Sequence, residues 1–197
     1  MLKRGKRKRR LELRDLFMLL LLKLEGPVGR YRLKHMLGMT EHEGRVKLML
    51  ANLRKNGHIS ADRQGAKLTV KGEELLDQRL KDYSIATIKD VNIPPLEAGL
   101  VSVGIHLKGK ADTIQSGMEL RDVTVRAGAT GATILTYKDG VLGIPKVYRD
   151  ISSEYPNLTD QIHRSFSLAN RDVLIITSAE DRWRALEGAL AAAKILA

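Results

Sequence analysis

Cysteine is absent from the 197 residues, which excludes disulfides, thiolate metal sites and cysteine nucleophiles together. The fold must therefore hold through its apolar core alone. Long apolar runs are absent too. The longest, Leu16 to Leu22, covers seven residues, against the roughly 20 that a membrane-spanning helix requires. A basic start ahead of an apolar run has the outline of a signal peptide. Here Arg14 and Asp15 abut the run, Lys23 and Glu25 follow it, and no small-residue cleavage site appears. The expectation is a cytoplasmic protein with no membrane partner. His42 and His58 have no ligand spacing with other metal-type residues, so no metal is expected. Gly128-Ala129-Thr130-Gly131 follows a helical pattern and precedes a strand pattern, the reverse of the dinucleotide-binding order, so no cofactor is expected. His106 and His163 stand isolated in the sequence, and no catalytic constellation emerges. The chain is read as a non-enzyme.

What is present is charge, unevenly placed. At 43% hydrophobic and 29% charged residues, the composition is that of a folded globular protein. Met1 to Asp82 hold 21 Lys and Arg against 10 Asp and Glu, whereas Tyr83 to Ala197 hold 13 of each. The net +11 is thus a property of one half, which points that half toward a polyanion.

The apolar pattern in the basic half specifies its elements. Leu11 to Leu24 is apolar nearly all round, so a helix there must be buried on most sides. Gly26-Pro27 ends it. A short helix over Arg30–Leu37 follows, closed by Gly38. Thr40-Glu41-His42-Glu43 reads as a capping box, opening a helix whose inner face is Val46, Met49, Leu50 and Leu53 and which stops at Asn56-Gly57. The period then changes to two: Ile59–Arg63 and Ala66–Val70 flank Gln64-Gly65, a hairpin, before a helix over Lys71–Asp82.

This order is that of a winged helix-turn-helix. The stretch Glu43 to Gly57, with its valine, spaced leucines and closing glycine, resembles the recognition helix of many prokaryotic winged-helix regulators. Leu68-Thr69-Val70-Lys71-Gly72-Glu73-Glu74-Leu75-Leu76 resembles the exit from the wing in the same superfamily. The resemblance implies a partner, double-stranded DNA, with the third helix in the major groove. His42, Glu43, Arg45 and Lys47 lie at its N-terminal end, away from the apolar face. Arg45 is the expected base contact, because guanidinium pairs bidentately with guanine. Lys47 and Lys55 are expected on phosphates, and Arg63 near the wing tip on the backbone or minor groove. The Met1–Arg10 tail, including Arg7 and Arg9, would add salt-sensitive affinity.

The neutral half alternates strands and helices. A connector over 83–95 contains Ile85 to Val91, a strand pattern. Val101–Leu107 alternates as a half-buried strand, and Asp112–Ala127 reads as a helix. Thr133–Tyr137 and Val141–Ile144 flank Asp139-Gly140, a hairpin turn. A weaker helix pattern covers Asn157–Leu168, and Val173–Ile176 is a continuous apolar strand. In the last helix Ser178 is the expected cap, Asp181 sits in the first turn, and Trp183, Leu186, Leu190 and Ala193 form the buried stripe. The order β-α-β-β-α-β-α matches the split βαβ (ferredoxin-like) plan with an added helix. The segments Gly117–Asp122 and Arg126–Ala132 resemble a group of archaeal two-domain winged helix-turn-helix proteins with a C-terminal α/β domain of unknown function.

The expected architecture is therefore α+β. It comprises a basic tail (1–10), a winged-helix DNA-binding domain (11–82), a connector (83–95) and a small α/β sandwich (96–197) for dimerisation or effector sensing. Arg121, Asp122, Arg126 and Ser178 are the candidate residues for a small-molecule effector, and Leu48 and the long C-terminal helix are candidates for homodimer packing. The functional expectation is a sequence-specific DNA-binding transcription regulator. Two alternatives stand beside it: an RNA- or ribosome-associated binding protein, and an enzyme carrying a regulatory winged helix.

Overall fold

The structure, a computed structural model, describes residues 13–94 and 99–197. Two compact units make up the chain, one through Leu76 and one from Asp77. The described residues form seven α-helices and two antiparallel sheets, a mixed α+β architecture.

The first unit opens with α1 (Leu13–Glu25), in which all seven residues from Leu16 to Leu22 are buried. This is the consequence of an apolar run with no polar face. A left-handed Gly26 ends it, and α2 (Arg30–Met36) and α3 (Glu43–Lys55) follow. Strands β1 (Ile59–Asp62) and β2 (Gly65–Leu68) pair antiparallel and lead into α4 (Val70–Asp82). Between α1 and α2, Val28 exchanges two backbone hydrogen bonds of 2.9 Å with Ala66, adding a third short edge to the hairpin. That edge passes so close to Gly65 that a Cβ there would lie 2.5 Å from the Val28 carbonyl carbon. Thr69 accepts from the Gly72 amide and donates to the Gly57 carbonyl, fastening the start of α4 to the end of α3.

Three local expectations are corrected. The capping box does not form: α3 begins at Glu43 with His42 as its N-cap residue and no side-chain cap, so Thr40 falls before the helix. The hairpin turn is Arg63-Gln64, one residue earlier than expected, because Asp62 pairs with Gly65 and accepts from the Gln64 amide. Leu50 is only half-buried, and the inner face of α3 is Val46, Met49 and Leu53.

The second unit is built on a five-stranded sheet ordered β3-β4-β7-β5-β6. Its strands are β3 (Ile85–Val91), β4 (Val101–Leu107), β5 (Gly131–Lys138), β6 (Val141–Gly143) and β7 (Asp172–Ala179). The stretch expected as a connector thus carries the sheet's edge strand. Helices α5 (Gly117–Arg126) and α7 (Arg182–Ile195) pack on one face and on each other. On the other face Leu158 and Ile162 of α6 (Pro156–Ser165) join Leu135, Leu174 and Ile176 in one core. Strand β7 is buried at every position, as its unbroken apolar run requires when both faces are covered.

The element order is as expected, but the ferredoxin-like pairing is not. The strand lying between β4 and β5 is β7, the last, antiparallel to both. Order along the chain constrained which elements form, while the apolarity of Val173–Ile176 selected the centre of the sheet. Helix α5 also starts later than expected, because Ser116 caps it after a 3-10 turn at Ala111–Thr113. Ser178 is not the cap of α7. It lies within β7, and Asp181 accepts from the Trp183 and Arg184 amides instead.

Candidate nucleic-acid interface

Burying Val46, Met49 and Leu53 turns the opposite side of α3 outward. Gly44, Leu48, Ala51 and Lys55 follow one another along that side at i, i+4, i+7 and i+11, and all are exposed. Lys47 and Arg54 flank this line on one side and Arg45 on the other, each exposed. His42 is exposed at the helix start, where its carbonyl accepts from the Arg45 and Val46 amides. Glu43 binds two cations at once, Arg30 of α2 at 3.0 Å and Lys47 at 3.5 Å. Its carboxylate thus fixes the first turn of α3 against α2 and screens Lys47.

Between α3 and the hairpin lies a groove of about 550 Å³. Leu50, Ala51, Ile59 and Ala66 line it together with Arg30, Lys47, Arg54 and Lys55. Arg30 and Arg54 were missed in the sequence reading. The spacing of Arg54, i+7 from Lys47, places it on the same side and was available as a signal; Arg30 joins only through the fold. Arg63 is exposed at the hairpin turn. Beside it Asp62 is held below its ordinary value by the Gln64 amide and by Lys67. Arg7 and Arg9, with the rest of the tail at 1–10, lie outside the described residues.

The residues proposed for an effector do not come together. Arg121, Asp122 and Arg126 are exposed on α5, with Arg126 donating to the Asp122 carbonyl at 3.3 Å. Ser178 is 1% exposed, with its hydroxyl 2.7 Å from that of Ser102. Among the described residues no hydrogen bond or ion pair joins Ser178 to the other three. A cavity of about 480 Å³ lies elsewhere in this unit, lined by Thr136, Lys138, Lys146, Tyr148 and Arg149 among others.

His106 is not isolated. Its Nε2 lies against Asp172, which also accepts from the Gly109 and Ala169 amides at 2.9 and 2.8 Å. Burial pushes the Asp172 carboxyl up, yet these amides and His106 outweigh it and hold the group below its ordinary value. The two residues are 66 apart in sequence, so only the pairing of β4 and β7 reveals them. His163 and Tyr137 form a T-shaped ring pair, with centroids 5.5 Å apart. Among the described residues no group of three or more metal-type side chains converges. No helix among them is long and apolar enough to cross a membrane.

These features define a two-unit α+β protein whose second unit carries a recognised domain. Residues 98–196 match the family described as Domain of unknown function (DUF4443), and the chain belongs to that family. It is similar in structure to the "Hypothetical protein PH0730 from Pyrococcus horikoshii OT3", with a TM-score of 0.70 and 28% identity over 95% of this chain and 93% of that one. No curated protein matches the chain. Family and neighbour fit the expected kinship with archaeal proteins that carry a domain of unknown function.

Proposed function

We propose that the chain is a cytoplasmic, sequence-specific DNA-binding transcription regulator with a winged helix-turn-helix reader and a sensing or dimerising C-terminal unit. One observation carries the reading: α3 turns Arg45, Lys47, Arg54 and Lys55 outward beside a hairpin that carries Arg63 at its turn. The Val28–Ala66 bridge supports it, since it gives the hairpin the third strand edge of a wing. A helix of this kind enters a major groove, with cations on phosphates and a two-fold partner on the adjacent half-site. A homodimer is therefore part of the proposal.

In the C-terminal unit, sensing moves from the α5 residues to the cavity beside β6. Its size suits a metabolite, and Lys146 and Arg149 suit an anionic group, while Asp139 also lines it and Lys138 is held by Asp112 at 2.9 Å. The deciding experiment is selection of bound duplexes from a random DNA pool by the full chain, repeated with Arg45→Ala. Recovery of a preferred sequence, with specificity altered in the variant, is the expected result. Tighter binding to structured RNA, with no preferred DNA sequence, would sink the reading.

A further inference from the structure

The centre of the outward face of α3 is not charged. Gly44, Leu48 and Ala51 occupy it, and the cations stand on the flanks or at the end. Leu48 is 57% exposed, a large apolar side chain on a face flanked by Lys47 and Arg54 on one side and Arg45 on the other. A helix seated in the major groove meets base edges with the centre of its outer face and phosphates with its flanks. The apolar feature that a base pair presents in that groove is the C5-methyl group of thymine.

Gly44 points the same way. A Cβ there would meet no heavy atom within 4 Å, so packing does not require glycine at this position. Glycine in a helix carries an entropic cost. What its missing side chain provides is close approach of the first turn to whatever faces it.

Resting on the DNA-binding reading, we propose that Leu48 and Ala51 read thymine C5-methyl groups in the major groove, with Gly44 letting the helix start come close. The partner is thymine-bearing B-form DNA. Charge complementarity favours this occupant over a second copy of the chain, because flanking cations would face like cations across a symmetric contact. A-form RNA is disfavoured on two counts: its major groove is too narrow for a helix, and uracil lacks the methyl group.

The test uses the full chain and the duplex recovered from the random pool, with each thymine replaced by uracil in turn. Charge and hydrogen-bonding groups stay the same, and only methyl groups leave. The expected result is a weakening of about fourfold for each methyl buried against the protein. In Leu48→Ser the thymine–uracil difference collapses at the thymine that Leu48 contacts and persists at the one facing Ala51, while the salt dependence of binding stays unchanged because phosphate contacts persist. Leu48 is exposed, so this variant folds, and its circular dichroism matches that of the parent. A recovered consensus without thymine, or uracil duplexes bound as tightly as thymine ones, overturns the inference and leaves DNA binding standing. A change of oligomeric state in Leu48→Ser overturns it in favour of a self-association surface. If no duplex is recovered at all, the DNA-binding reading falls, and this inference with it.

Discussion

His106 Nε2 lies 2.6 Å from Asp172 Oδ2 between side chains only 3% and 4% exposed, joining β4 to the first residue of β7. With the Gly109 and Ala169 amides, the carboxylate has three hydrogen-bond partners, enough to outweigh its desolvation. Asp172→Asn is expected to cost about 2–4 kcal/mol, since its amide cannot accept from two backbone N–H groups and replace the charge. The folded pKa is depressed, so this contribution is present above the ordinary carboxylate value of about 3.9 and is lost as pH falls through the folded one. Denaturant unfolding followed by Trp183, the one tryptophan, checks both statements across pH 2–7 in parent and variant.

His58 supplies a second pH dependence, in the first unit. Burial draws its pKa below the ordinary histidine value, opposed by a backbone hydrogen bond at Lys71 and aided by the Lys71 charge. The unfolded chain therefore takes up a proton first as pH falls. Stability present above about pH 6.5 is lost on descending through the lowered folded pKa. Amide exchange of α1 and α3 is expected to accelerate over that range, and His58→Gln is expected to flatten the dependence.

Two helix glycines should respond oppositely to alanine. A Cβ on Gly72 would lie 1.9 Å from the His58 carbonyl oxygen, whereas one on Gly44 would meet open space. Gly72→Ala is expected to lose more than about 2 kcal/mol, because rigid backbone must move. Gly44→Ala, in the first turn of α3, should gain at most about 0.5 kcal/mol from helix entropy while weakening DNA binding. Thermal unfolding and duplex titration of the two variants give the comparison.

Glu43 should act as a brake on the proposed interface. Glu43→Gln releases Arg30 and Lys47 from their shared carboxylate. Tighter duplex binding is expected at low salt, by about two- to tenfold, fading as ionic strength rises. Lys47→Ala combined with Lys55→Ala should lower the salt slope by about two. Unchanged slopes would remove these lysines from the phosphate contacts.

Local pattern made most elements legible, because apolar spacing responds to periodicity and glycine marks the ends. The all-apolar Leu16–Leu22 could only be buried, and Gly26, Gly38 and Gly57 all adopt left-handed backbone. Pairing was less accessible. Nothing local to Val173–Ile176 says that the strand lies between β4 and β5, and nothing near Val28 announces its bridge to Ala66. The cap of α7 was misassigned because Ser178 and Asp181 both suit the role, and only the length of β7 decides between them. In the candidate interface, the helix face followed from its period. The screening of Lys47 by a carboxylate shared with Arg30 required the packing of α2 on α3.

The position of β7 has a consequence for how the chain comes off the ribosome. The residues that fill the middle of the sheet, 172–179, are translated after every other strand. Until they emerge, β3-β4 and β5-β6 are separate hairpins with unsatisfied inner edges, while the first unit is already complete enough to fold. A nascent chain that has emerged only as far as residue 171 should therefore carry a finished N-terminal unit and two sticky half-sheets. Emergence of 172–179 closes both edges in one step.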